Sequence, residues 1–199
     1  MSRLSIDVSS LPETAFGSRS ITWWGTLGIL LIEGTVFALG IVAYFYLRSR
    51  SPEWPPNLPP PALIWGTLNT VIMLASIVPN ELAERAAQRM DLRGVRVWET
   101  VALAFSVAFL VVRVLEFGSL NCRWYTNAYG SVTWSLMAFH TAHILTEAAE
   151  TAVLVVLMFV GPIQAKRFVD VEDNSFYWNF VVGSWIPIYL VIYWAPRWL

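Results

Sequence analysis

The stretch 129–159 reads YGSVTWSLMAFHTAHILTEAAETAVLVVLMF, and it decides the fold. It is mostly apolar, contains no proline, and has no glycine after Gly130. At about 1.5 Å per residue, a helix of this length is longer than the roughly 30 Å hydrocarbon core of a bilayer. The stretch therefore predicts a membrane-spanning helix.

The same stretch carries four ionisable side chains, which are His140, His143, Glu147 and Glu150. Because residues three or four apart lie on the same side of an α-helix, these four side chains form one narrow stripe. Ionisable groups at membrane depth face other parts of the protein or a water-filled cavity. The stripe therefore predicts neighbouring helices that cover it.

The composition of the whole chain is that of a membrane protein. Of its 199 residues, 56% are hydrophobic and only 14% are charged, whereas soluble domains carry about a quarter charged residues. The eleven tryptophans also fit, because tryptophan is enriched at membrane–water interfaces. The net charge of −1 argues against a nucleic-acid partner. We predict an all-α fold: a polytopic integral membrane protein built as a single bundle of five transmembrane helices.

The hydrophobic runs predict the domain organisation. A polar tail covers residues 1–21, the five-helix transmembrane domain covers 22–195, and 196–199 form the C-terminal end. The predicted spans are 22–47, 62–78, 95–117, 129–160 and 176–195. A proline-rich loop follows the first span, a solvated helical extension follows the second, and a polar loop at 161–175 precedes the fifth.

The distribution of lysine and arginine predicts the orientation in the membrane, because cytoplasmic loops are enriched in these residues. One side carries eight cations: Arg3, Arg19, Arg85, Arg89, Arg93, Arg96, Lys166 and Arg167. The other side carries four: Arg48, Arg50, Arg123 and Arg197. We therefore expect a multi-pass protein of the bacterial plasma membrane with a cytoplasmic N-terminus and an outside C-terminus.

We single out three further ionisable residues inside predicted spans, which are Glu33, Arg113 and Glu116. Glu33 is close to Gly34 and Gly40, whose small size lets another helix approach. Two interpretations of Glu33 stay open: a protonated acid hydrogen-bonded within the bundle, or a proton-linked or lipid-contacting group. Arg113 and Glu116 are three residues apart on one helix face. Pairing opposite charges lowers the free-energy cost of holding them at membrane depth. We interpret them first as a structural pair.

The stripe on the fourth span has three possible interpretations. It forms a buried hydrogen-bond network, it passes or buffers protons, or it binds a metal in a stand-alone membrane protein. Di-iron helical bundles commonly carry a Glu-x-x-His motif on each of two helices. Here both histidines of the chain lie on one helix, so the metal interpretation is the least favoured of the three.

Several short strings, taken together and in order, resemble haem–copper oxidase subunit III. They are WPP at 54–56, LNTVIMLAS at 68–76, AYGSVTW at 128–134, FHTAHI at 139–144, WNF at 178–180 and YLVIYW at 189–194. The resemblance covers roughly residues 22–195. It implies the short five-helix form of this family, with Glu33 where the family places a membrane carboxylate.

The resemblance implies a place beside subunit I of a respiratory terminal oxidase, a cytochrome c oxidase that couples oxygen reduction to proton pumping. Subunit I holds the haems and one copper, subunit II commonly holds another copper, and cytochrome c or a similar donor supplies electrons. On this chain we expect no catalytic residue, metal or redox centre, but a bound phospholipid. Stabilisation of subunit I and support of proton uptake are implied as well. The expected polar network is Glu33, Arg113, Glu116, His140, His143, Glu147 and Glu150.

The chain departs from the family's pattern in the last helix. Where the family usually has Trp-His-Phe-Val-Asp, residues 178–182 read WNFVV, so the histidine and the aspartate are both missing. Glu147 and Glu150 also look like additions to the family's helix. The polar network is therefore rewired, and a subunit III-like partner of a nitric-oxide reductase stays open as an alternative.

Overall fold

The computed structural model describes residues 21–161, 163 and 165–198, and these residues fold as helices joined by short connections without any strand. The helices are α1 (Ile21–Ser49), α2 (Leu63–Gln88), α3 (Leu92–Ser119), α4 (Ala128–Val160) and α5 (Ala165–Tyr189). A π-helical segment, Leu190–Trp194, and the short α6, Ala195–Trp198, continue α5. In the described part, five helices are long and apolar enough to cross a membrane. The predicted all-α, five-helix membrane fold is confirmed, while almost all of the predicted polar tail lies outside the described residues.

Two helices, α4 and α5, hold the bundle together. The helix α4 contacts α1, α3 and α5, and α5 contacts α1, α2 and α4, while α2 also packs against α3. The main core draws one or more large side chains from every long helix, including Phe37, Met73, Phe109, Ile144 and Trp185. A second, smaller core closes the end of the bundle where α2 ends and α3 begins. Its members are Ala83, Ala86, Ala87, Val95, Met158, Phe168 and Val171.

One glycine, Gly40, lets α1 approach α4 closely. A Cβ atom built on Gly40 would lie 2.7 Å from Cδ2 of Leu136 on α4, whereas one on Gly34 would lie at an ordinary contact distance of 3.6 Å from the ring of Phe180 on α5. Between lipid-exposed helices the hydrophobic effect contributes little, so close van der Waals packing holds them together. Gly40 therefore sets the distance between α1 and α4.

Local hydrogen bonds fix where the helices begin. Asp91 caps α3 by accepting from the Arg93 backbone N–H at 3.1 Å, and Asn127 caps α4 by accepting from the Gly130 N–H at 2.8 Å. Such caps satisfy amides that have no partner inside the helix. The loop before α4 is tied to that helix by Trp134, whose indole N–H donates to the Cys122 carbonyl at 3.0 Å.

The structure differs from the sequence prediction at 165–175, which was assigned to a loop and is the start of α5. The segment is polar, but Phe168 and Val171 recur on one face and enter the smaller core. On another face, the Arg167 guanidinium lies 3.5 Å from the Asp170 carboxylate. Tertiary packing therefore stabilises a helix that local composition does not indicate. By contrast, the helical extension predicted after the second span is present, and α2 continues into it without interruption through Pro79 to Gln88.

Candidate functional site

The first polar site is a buried cluster around Glu116, here called the Glu116 cluster, to which three elements contribute. Arg113 and Glu116 come from α3, Asn69 from α2 and Tyr193 from the π-helical segment, and each is at most 1% exposed. The carboxylate of Glu116 accepts from Asn69 Nδ2 and from the Tyr193 hydroxyl, each at 2.5 Å. Arg113 Nη1 lies 3.1 Å from Glu116 Oε2. A single carboxylate therefore joins α2, α3 and the C-terminal segment.

The guanidinium of Arg113 is stabilised by aromatic rings as well as by Glu116. Its Cζ atom lies 4.1 Å from the ring centroid of Trp185 and 4.7 Å from that of Phe109. Arg113 lies close to Glu116, yet the guanidinium nitrogens of Arg113 make no hydrogen bond of good geometry to any described residue. Cation–π contacts are strongest where water is excluded. The two rings and the carboxylate therefore stabilise the buried positive charge of Arg113 together.

His140 belongs to this region, although its ring and that of His143 both pack against Phe37 of α1. Its Nε2 donates to the Val181 carbonyl of α5 at 3.1 Å, because a carbonyl oxygen can only accept. Its ring centroid is 4.9 Å from that of Trp185, and the whole side chain is buried. His140 therefore links α4 to α5, next to the ring that covers Arg113.

The second polar site holds α1 against α4 and α5. The Glu33 carboxylate accepts from the Tyr177 hydroxyl at 2.8 Å and lies 3.4 Å from His143 Nε2. His143 Nδ1 donates to the Phe139 carbonyl at 2.6 Å, which fixes the proton on that nitrogen. Nε2 is then the ring atom that faces Glu33. Both side chains are partly exposed.

A cavity of about 280 Å³ opens beside this second site. Its lining includes Glu33, Glu147, Glu150, Asn174 and Tyr177. Glu147 is only 1% exposed, and neither of its carboxylate oxygens has a hydrogen-bond partner among the described residues. An unpaired carboxylate buried in a protein is costly unless water or a proton reaches it. We call this space, with its acidic lining, the α1–α4–α5 cavity.

The structure adds residues that the sequence analysis did not single out. Glu99 of α3 is 1% exposed, and its Oε2 has no hydrogen-bond partner among the described residues. Asn69, Tyr177 and Tyr193 complete the two polar sites as hydrogen-bond donors. The polar notch at Asn69 was visible in the sequence, whereas Glu99 stands in a charged segment, RVWET, that is typical of a solvated helix start.

The predicted stripe is therefore divided among three environments. His140 lies in the core, His143 contacts Glu33, and Glu147 and Glu150 line the cavity. No group of three or more His, Cys, Asp or Glu side chains is arranged to hold a metal ion within 21–161, 163 and 165–198. The seven predicted network residues are thus placed in two sites and one cavity, not in a single cluster.

The last helix packs against α2 through the two positions at which the resemblance implies a histidine and an aspartate. Asn179 accepts from Asn80 Nδ2 of α2 at 3.3 Å. Val182 is 3% exposed and belongs to the main core. Nearby, the indole N–H of Trp178 donates to the Ser76 hydroxyl at 3.0 Å. The α2–α5 contact is therefore polar without an ionised side chain at position 179 or 182.

The fold and these sites define a multi-pass helical membrane protein with ionisable groups enclosed between its helices. The family model described as cytochrome c oxidase subunit III matches residues 21–197. The chain belongs to that family. It is accordingly part of a multi-subunit oxidase complex, an oxidoreductase of the respiratory chain, as the sequence resemblance predicts.

Relatives with this family's name are similar to the chain over most of its length. Cytochrome c oxidase subunit 3 of Thermostichus vulcanus is 27% identical over 179 residues, which is 87% of each chain. The protein of that name from Synechocystis is 26% identical and covers 96% of this chain and 84% of its own. The one from Corynebacterium diphtheriae is 30% identical and covers 85% of both.

Proposed function

We propose that this chain is the subunit III of a terminal oxidase that reduces oxygen, and that it lies beside subunit I without a redox centre of its own. Family membership supports the assembly. The haems and coppers belong in this proposal to subunits I and II, which receive electrons from cytochrome c or a similar donor. This chain stabilises subunit I, contacts lipid and keeps its N-terminus in the cytoplasm.

The observation that carries a more specific role is the α1–α4–α5 cavity with its unpaired carboxylate. A volume of about 280 Å³ accommodates several waters at roughly 30 Å³ each. Glu147 opens into this space, and Glu33 and His143 lie at its edge as a pair that can exchange a proton. Carboxylates and histidines joined by water carry protons in membrane proteins. We propose that this cavity supports proton uptake by the partner subunit.

Purification of the complex tests the assembly. A tagged chain is isolated from mild-detergent membranes, and the sample is examined by visible absorption, oxygen uptake and nitric-oxide consumption. We expect haem bands, oxidation of the electron donor and oxygen uptake. Haem with nitric-oxide consumption alone would instead assign the chain to a nitric-oxide reductase. A colourless preparation without partners would contradict the subunit role.

Charge-neutral variants test the proton role separately. In the complex carrying Glu33→Gln and Glu147→Gln, we expect fewer protons pumped per electron and faster inactivation during turnover, because the cavity loses the buried carboxylate and the one that faces His143. Glu53→Gln in the proline-rich loop is the matched control, since Glu53 lies outside both polar sites. Unchanged pumping and inactivation in the double variant would refute the proton role and leave the assembly intact.

A further inference from the structure

A shallow groove lies where the start of α3 meets the end of α4, and it shares no lining residue with the cavity described above. It has a volume of about 540 Å³, and we call it the α3–α4 groove. Its lining residues are Arg93, Arg96, Val97, Thr100, Val101 and Phe159. All but Phe159 lie along one face of α3, at steps of three and four residues.

Arg96 is held in place at the mouth of this groove. Its Nε donates to the Met158 carbonyl at 2.8 Å, in the last turn of α4, where carbonyls lack partners within the helix. Its guanidinium also lies 5.0 Å from the ring centroid of Phe159. Because these contacts use one N–H and one face of the group, its terminal nitrogens remain available as donors. The guanidinium is therefore preorganised without being neutralised.

The groove carries more positive than negative charge at one end, where two arginines stand beside the single carboxylate of Asp91, which caps α3. Arg93 is exposed and lies almost one turn nearer the start of α3 than Arg96. The ion pairs formed by the described residues involve neither arginine. Both arginines stand within the first two turns of α3, where a membrane-spanning helix meets the lipid headgroups.

The remainder of the groove is apolar and exposed. Val97 is 55% exposed and Phe159 is 56% exposed. From Arg93 to Val101 the helix rises about 12 Å, which leads from the headgroup level into the hydrocarbon region. The groove thus has a cationic end at the membrane surface and an apolar length beneath it. This distribution matches an anionic headgroup joined to an acyl chain.

We propose that the α3–α4 groove binds one anionic phospholipid, with its phosphate on Arg93 and Arg96 and an acyl chain along Val97, Val101 and Phe159. A zwitterionic phospholipid fits less well, because its own ammonium offsets the phosphate that the two arginines attract. The inference rests on the proposed function only for the position of this chain in an oxidase complex in the membrane. It specifies the lipid class and the binding residues.

Native mass spectrometry of the intact, delipidated complex tests the inference, with phosphatidylglycerol and phosphatidylcholine of identical acyl chains as probes. We expect the wild-type complex to prefer phosphatidylglycerol. We expect Arg93→Gln with Arg96→Gln to weaken that preference roughly 30-fold, since each arginine near an anionic headgroup contributes about fivefold. Val97→Trp, which fills the groove without changing charge, should weaken binding of both lipids.

The control removes the same charge from the same end of the bundle. Arg85→Gln with Arg89→Gln changes exposed residues of and after α2 that do not line the groove, so we expect the lipid preference to stay near the wild-type value. Equal losses in the two double variants, or equal retention of both lipids by the wild type, would overturn the inference. A preparation without haem would contradict the proposed function instead, whatever lipid it retains.

Discussion

At the scale of single residues, a substitution in the Glu116 cluster should have the largest effect on the free energy of unfolding. Glu116→Gln leaves the guanidinium of Arg113 buried without its counter-charge. Breaking a buried ion pair by removing one partner costs about 3–5 kcal/mol, because the remaining charge stays desolvated. We expect a loss of this size in the free energy of unfolding, measured on the purified chain in mixed micelles by tryptophan fluorescence.

The matched comparison for this prediction removes both charges. In Arg113→Met with Glu116→Gln no unpaired charge remains, so the loss should be smaller than in Glu116→Gln alone. Tyr193→Phe removes one hydrogen bond to the carboxylate and should cost about 1 kcal/mol. A double variant less stable than Glu116→Gln would show that the pair is not the source of the effect.

Cys122 gives a second residue-scale prediction, in the loop between α3 and α4. Burial raises the pKa of its thiol from 9.0 to about 11, and only the thiolate reacts with maleimides. Because a raised pKa lowers the thiolate fraction, modification at pH 8 should be roughly a hundredfold slower than for an ordinary thiol, and the rate should rise tenfold per pH unit up to about 11. An exposed reference thiol is Asn57→Cys in a Cys122→Ser background. Equal rates at pH 8 would contradict the burial of the Cys122 thiol.

Single residues also show what the sequence could predict about the sites. Arg113 and Glu116 were predictable as a pair because local helical geometry brings them together. Their partners Asn69 and Tyr193 lie 47 and 77 residues from Glu116, and no local pattern specifies such contacts. His140 and His143 share a stripe by spacing, yet a 3.6-residue period places adjacent turns beside different neighbours. Only the packing of α1 and α5 separates them.

At the scale of elements, the contact of α1 with the bundle depends on its glycines. Gly40→Val should displace α1, because even a Cβ at this position would lie 2.7 Å from Leu136. Gly28→Val on the same helix meets nothing within 4 Å, so it is the matched control. We expect only Gly40→Val to lower the midpoint temperature of unfolding. We also expect only this substitution to abolish a chemical crosslink between cysteines introduced as Glu33→Cys and Tyr177→Cys. Equal behaviour of the two variants would show that close packing does not position α1.

The elements themselves were largely predictable, for a physical reason. Each long apolar run must be helical in a membrane, because a helix satisfies its own backbone hydrogen bonds there. This reasoning does not predict the helix at 165–175, since that segment is polar and solvated enough to resemble a loop. Its helix is specified by Phe168 and Val171, which fit the smaller core only once α2, α3 and α4 have formed it.

At the scale of the whole molecule, the two ends of the bundle differ in chemistry. One end has the proline-rich connection, which is joined to the loop before α4 by the Asn121 side chain donating to the Pro59 carbonyl. The opposite end contains the α2–α3 turn and the arginines around it. Because lysine and arginine are retained in the cytoplasm, the arginine-bearing end should face the cytoplasm. The proline-rich end should then face outwards.

Thiol labelling of intact spheroplasts checks this orientation. Asn57 lies in the proline-rich connection and Arg89 follows α2, and both are exposed. In a Cys122→Ser background, a membrane-impermeant maleimide should label Asn57→Cys in intact cells and Arg89→Cys only after permeabilisation. Labelling after permeabilisation controls for the reactivity of each thiol. The reverse pattern would place the α3–α4 groove and its arginines at the outer leaflet, and the anionic lipid would then have to come from that side.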